Sequence, residues 1–152
     1  MLRMRGCDMA AGLIAGTEPL CAYVVFTDET TVRWLRFLRP GFRHCFVMVG
    51  DGEKWVSIDP LLSRIQIMIH DAPAIIDIIK YLRESDHVVV SVNLSLADCS
   101  LYQPALLHCV SVVKRIIGVR SYRVQTPWQL YKFLEARRLS KIEKGEVDVG
   151  SK

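Results

Sequence analysis

Two alternating apolar runs, residues 42–49 and 54–59, are separated by Gly50-Asp51-Gly52-Glu53. Asp-Gly between such runs is a strong hairpin signal, because tight turns that match strand twist need residues that tolerate positive φ. This constrains the chain to an antiparallel sheet built around these two segments. It also sets a register. A two-residue Asp51-Gly52 turn puts Gly50 opposite Glu53, and a four-residue loop puts Val49 opposite Lys54. Both give one alignment, in which His44 lies directly opposite Asp59. A three-residue bulged loop would break it. Directly opposed residues share a sheet face with Cβ atoms about 5 Å apart.

The remaining pattern adds helices and further strands. Residues 20–27 read as a strand. Asp28 or Thr30 can cap a short helix running to Leu38, with Trp34, Leu35 and Leu38 on its apolar side. Pro40-Gly41 ends it. Residues 63–70 and 87–94 read as two more strands. Between them, Asp71 caps a helix with Pro73 in its first turn and Ile75, Ile78, Ile79 and Leu82 at helical spacing. Pro104 breaks any long helix across 95–108. A helix opens at Cys109 and closes at Gly118. A short strand is expected at 122–125, then a helix from Thr126-Pro127 with Leu130, Phe133 and Leu134 as its apolar stripe. The fold class is therefore α+β, an antiparallel sheet of about four to six strands packed against the helix that carries Cys109. Residues 1–18 read as a flexible lead-in, 19–139 as a single domain, and 140–152 as a charged, disordered tail.

Composition narrows the class further. The chain has 152 residues, 51% of them apolar, enough to close one core. The net charge of +4 is dispersed, so a solvated surface is expected rather than a nucleic-acid interface. The aromatic residues sit at core-like spacing and give no base-stacking platform. Cys7, Cys21, Cys45, Cys99 and Cys109 show no paired spacing, which argues against a disulfide framework and for a reducing compartment. No apolar run approaches the roughly 20 residues that span a bilayer. Asp8 interrupts the pattern of a signal peptide, so a cytoplasmic or virion location is expected.

The chemistry centres on one thiol. Cys109 stands in the first turn of its helix, where the free N–H groups and a nearby imidazolium both favour S⁻ over SH. His44, held in one tautomer by Asp59, can supply that imidazole. Val112, Val113 and Ile116 share a side with Cys109, so burying them would turn the thiol inward, to within about 4 Å of the His44 ring. The oxyanion would meet the Cys109 backbone N–H and a second donor that the sequence does not name. Other thiols fit less well. Cys99 starts no clear helix, Cys45 points to the opposite sheet face from His44, and Cys7 and Cys21 lie in or near the lead-in. His44-Cys45 and His108-Cys109 are both His-Cys neighbours, but adjacent strand residues diverge and no zinc-ligand spacing is present. No metal and no cofactor are expected, and no phosphate-binding loop is found. Each piece also has a plain structural reading, as a buried core thiol, a bonded strand histidine and a strand-ending aspartate.

The order His44, Asp59, Cys109 resembles the circularly permuted papain-like superfamily. That group includes lecithin retinol acyltransferase-like proteins and bacterial and phage relatives of the NlpC-type peptidases. The run from His108 to Gly118, followed by Thr126-Pro127-Trp128-Gln129-Leu130-Tyr131, is similar to the Cys helix and following helix of small bacterial and phage members. The likeness covers residues 42–59 and 105–135. It implies a cysteine hydrolase (a thiol protease or amidase) acting on an amide, ester or thioester, with a peptide or amide as partner. The chain lacks the Asn-Cys-x-x-Phe and Asp-Cys-Ser-Gly signatures of the better-marked subfamilies. The alternative is a non-catalytic structural or binding protein on the same fold, such as a phage virion or tail component.

Overall fold

The computed structural model describes residues 21–29, 33–61, 63–94 and 108–143. Five strands form one antiparallel sheet: β1 (Cys21–Thr27), β2 (His44–Gly50), β3 (Lys54–Pro60), β4 (Ile65–Asp71) and β5 (Val88–Asn93), in the order β4-β3-β2-β1-β5. Three α-helices accompany them: α1 (Ala72–Glu84), α2 (Cys109–Ile116) and α3 (Pro127–Glu143). The architecture is α+β.

β1 is buried along its whole length because it has a strand on each side and helices over both faces. Alternation divides its side chains between two cores. Ala22, Val24 and Phe26 join Cys45 and Val47 of β2 beneath α2 and α3, which contribute Val110, Val113, Leu130 and Leu134. Cys21, Tyr23 and Val25 turn to the other face and meet Met48, Trp55 and the Ile75, Ile79 and Leu82 stripe of α1. The helices therefore cover both faces of the sheet, not one alone.

The hairpin forms where the Asp-Gly signal places it, but its register is shifted by two residues. Gly50 lies opposite Trp55 and Val47 opposite Ile58. The reason is the Asp51 side chain. Its Oδ1 accepts from the N–H of Glu53 at 2.9 Å and of Lys54 at 2.8 Å, and Gly52 takes φ +103°, so the turn centres on Gly52-Glu53 and the Asp51 N–H meets the Lys54 carbonyl at 3.3 Å. A shift of two conserves the face of every side chain, whereas a shift of one would have reversed it.

Other expectations fail locally for identifiable reasons. Between β1 and β2 the described structure is a 3₁₀ helix, Arg33–Phe37, inside the span read as a short helix to Leu38. Asp28 reaches across to the other end of this connection. Its carboxylate accepts from the Gly41 N–H at 2.8 Å and from Arg43 at 2.6 Å, tying the connection to the start of β2. Asp71 occupies the N-cap position of α1 without a capping bond, because its carboxylate pairs with Lys54 at 2.5 Å. Residues 122–125 are turn, not strand. Lys114 of α2 decides this, since its buried Nζ donates to the carbonyls of Ser121 at 2.5 Å and Val124 at 2.9 Å. α3 continues to Glu143, beyond the start expected for the tail. Cys21 is disulfide-bonded, against the expectation that the cysteine spacing supports no disulfide framework. The lead-in at 1–18, Cys7, Thr30, Cys99, Pro104 and residues 144–152 lie outside the described residues.

Candidate functional site

α2 begins with its own cap. His108 is the N-cap residue. Its Nδ1 accepts from the Ser111 N–H at 3.4 Å, while Ser111 Oγ accepts from the His108 N–H at 3.1 Å. This reciprocal capping box fixes the chain on entry to the helix and so fixes Cys109, the first helical residue. At the other end Gly118 takes φ +69° and the Val119 N–H returns to the Lys114 carbonyl at 2.9 Å, a Schellman closure.

The buried stripe of α2 is Val110, Val113, Lys114 and Ile117, one position removed from the Cys109, Val112, Val113 and Ile116 face expected from the sequence. Cys109 therefore lies at the flank of the stripe. It packs against the core yet stays partly exposed. That placement is chemically useful, because a nucleophile needs both a shielded environment and an approach path.

α2 packs on the sheet face that carries Cys45 and Val47. His44 precedes Cys45 and alternates to the other face, so helix and imidazole do not share a face as the sequence reading assumed. They meet nonetheless. The β2–β3 ladder spans only 47–50 and 55–58, and His44 is the first residue of β2. Its ring reaches past the end of the ladder and comes under the influence of the Cys109 thiol, which helps hold its charge. His44 Nε2 donates to Asp59 Oδ1 at 2.7 Å, with the imidazole only 12% exposed. Extending the register sets Asp59 beside Phe46, so His44 and Asp59 are diagonal rather than direct neighbours. With Nε2 engaged by Asp59, Nδ1 is the nitrogen left for the thiol.

The charges follow from these contacts. Burial alone would lower the His44 pKa, but the hydrogen bonds from Asp59 and Cys109, and their negative charges, outweigh it and raise it to about 9. The Cys109 thiol is brought down to about 3, first by a hydrogen bond from Cys45, then against the cost of burial by hydrogen bonds from His108 and His44 and by the His44 charge. Cys45 moves the opposite way. It is fully buried, and burial together with the adjacent Cys109 sulfur holds its thiol well above the usual range. Cys45 is thus a neutral S–H donor to an ionised neighbour, which is how one of two touching thiols stays protonated.

The structure brings all three sequence-derived residues, Cys109, His44 and Asp59, into one cluster. Two members were missed as partners of the thiol. Cys45 was set aside on strand alternation, which fails to separate neighbours at a strand end. His108 carried a readable signal, because His108-x-x-Ser111 can cap a helix reciprocally as Ser-x-x-Glu does. As first residue of α2, Cys109 has an N–H with no carbonyl partner inside the helix. Among the described residues no group of three or more His, Cys, Asp or Glu side chains is arranged to hold a metal ion. No helix among them is long and apolar enough to cross a membrane.

No family model, curated protein or solved structure matches this chain.

Proposed function

We propose that the chain is a thiol hydrolase acting on amide bonds, a peptidase or amidase of the permuted papain-like kind, with Cys109 as nucleophile, His44 as general acid and base, and Asp59 as the group that orients His44. The observation that carries this reading is the Cys109–His44–Asp59 chain of contacts, in which a partly exposed sulfur faces an imidazole whose Nε2 is held by a carboxylate at 2.7 Å. Between about pH 3 and pH 9 the resting pair is thiolate and imidazolium.

Each residue then has a defined step. Cys109 Sγ attacks the carbonyl carbon, and the oxygen that gains charge is met by the Cys109 backbone N–H at the helix start. His44 gives its proton to the leaving amine as the C–N bond breaks, leaving a thioester on Cys109. The neutral imidazole next takes a proton from water. The hydroxide so formed attacks the thioester, and the acid departs with the thiolate restored. Asp59 stabilises His44 whenever it is charged and keeps its Nε2–H fixed.

Labelling with a broad thiol electrophile at pH 6 tests the nucleophile. Wild type should label at Cys109, Cys109→Ala should not label at this rate, and Cys99→Ala should behave as wild type. Equal labelling of the Cys109→Ala and wild-type chains would overturn the assignment. Release of amine from fluorogenic acyl-amide peptides should vanish in Cys109→Ala, and persistence would end the hydrolase reading.

One observation favours a second reading, a structural module that uses this fold for assembly in a virion. β4 is an edge strand with Ile65, Ile67, Met68 and Ile69 exposed, and it carries neither charge nor proline between Ile65 and Ile69 to discourage strand addition. Multimers in sedimentation that dissociate in Ile67→Lys, with no fast-labelling thiol, would favour it.

A further inference from the structure

We propose that Cys45 and Cys109 form a peroxide-responsive thiol pair, in which Cys109 is the oxidised residue and Cys45 the resolving residue that closes a reversible disulfide between β2 and α2. The inference uses the same thiol as the hydrolase reading but needs no hydrolysis, only the contact between the two sulfurs.

The geometry is that of a resolving pair. Cys45 is fully buried in the core beneath α2, and Cys109 packs against that core from the first turn of the helix. The two thiols are direct interaction partners, each acting on the ionisation of the other across the packing of α2 on β2. Cys109 is partly exposed, so a small oxidant reaches it, whereas Cys45 is closed to solvent. The elements they sit on are held differently. β2 is paired on both sides. α2 is anchored at its start by the His108–Ser111 box, and closing the bridge brings the two sulfurs to a bond length of about 2.0 Å. No other described cysteine competes, because Cys21 packs in the core on the opposite face of the sheet.

The chemistry balances with a hydroperoxide as oxidant. The Cys109 thiolate attacks one peroxide oxygen. An S–O bond forms, the O–O bond breaks, and the departing alkoxide or hydroxide takes the proton carried by His44. The Cys45 sulfur then loses its proton and attacks the sulfenic sulfur. An S–S bond forms, the S–O bond breaks, and hydroxide leaves with that proton as water. Two electrons pass from the two sulfurs to the peroxide. The product has lost its nucleophile, and a dithiol restores it by exchange. Without Cys45 the sulfenic acid would persist, and a second equivalent of hydroperoxide would oxidise it to sulfinic acid, which a dithiol does not reverse.

The test takes the reduced full chain through a stoichiometric alkyl hydroperoxide, then alkylation, digestion without reduction, and peptide mass mapping. Wild type should give the Cys45–Cys109 cross-linked peptide, with thiol labelling lost and then recovered in dithiothreitol. Cys45→Ser and Cys45→Ala should give no cross-link, a dimedone adduct on Cys109 as the main product, and, with excess hydroperoxide, labelling that dithiothreitol fails to recover. The wild-type peptide map needs no variant to fold, so a misfolded substitution does not blunt the result. Sulfinic acid on Cys109 with free Cys45 in wild type would overturn the proposal, as would a bridge from Cys109 to any other cysteine. Absence of amidase activity in the reduced chain, with the cross-link still forming on oxidation, would count against the hydrolase reading alone.

Discussion

His44 and Asp59 are bonded at 2.7 Å although they are not opposed across the β2–β3 hairpin. The contact is diagonal and sits where the ladder has ended. A direct cross-strand pair would lie within the regular sheet, with strands on both sides. The diagonal pair instead borders the start of α2, which is how a third residue from a distant part of the chain gains access to the same imidazole.

Asp59→Asn keeps the shape of that contact and removes its charge. The His44 pKa, held up to about 9 by its partners, should fall by about a unit or more, since an opposite charge within hydrogen-bond distance is worth about that. Cys109 alkylation measured from pH 4 to 10 should lose its plateau first on the alkaline side, with His44 neutral at lower pH. An unchanged alkaline limb would show that Asp59 does not govern the charge on His44.

The thiolate–imidazolium pair also predicts how folding responds to acid. In the unfolded chain His44 titrates near 6.5 and Cys109 near 9, whereas in the fold the values are about 9 and about 3. From about pH 3 to 6.5 the unfolded pair therefore binds two protons and the folded pair one. Stability rises with pH across that window, by at most about 1.4 kcal/mol per pH unit, and is lost as pH falls toward 3. From 6.5 to 9 both states bind one proton and the pair adds no slope. Cys109→Ala should remove the rise, read as urea midpoints at pH 4 and 6.5. Identical pH dependence in the two proteins would mean that the pair is not ionised.

Lys114→Met should destabilise the fold by about 1–3 kcal/mol, because the carbonyls of Ser121 and Val124 lose a shared donor while methionine fills much the same volume. Chemical denaturation measures this directly. Since Lys114 lies on the buried stripe of α2 away from Cys109, the thiol should still label rapidly at pH 6 in the folded variant. A neutral effect on stability would show that the turn at 121–124 holds without the lysine.

Some of this protein follows from the sequence by local rules. The hairpin is set by Asp51-Gly52, because few other dipeptides accept the backbone that a tight turn imposes. The start of α2 follows from helix-end signals in general, whereas the lowered pKa of its first residue comes from Cys45, His108 and His44. The face shared by His44 and Asp59 survived a register shift of two because side-chain direction repeats every two residues. Tertiary structure decided the rest. The shift itself came from the Asp51 carboxylate bonding two backbone N–H groups, an option that composition does not rank against a plain turn. Asp28 and Asp71 both had capping chemistry, yet Arg43 and Lys54 claimed their carboxylates, and those partners are 15 and 17 residues away along the chain. The rotation of α2 that set Cys109 at the flank of its buried stripe, and the contact with Cys45, depend on how that helix settles on β2. Periodicity gives the width of an apolar face but not its angle to the sheet, which only packing against a particular neighbour can fix.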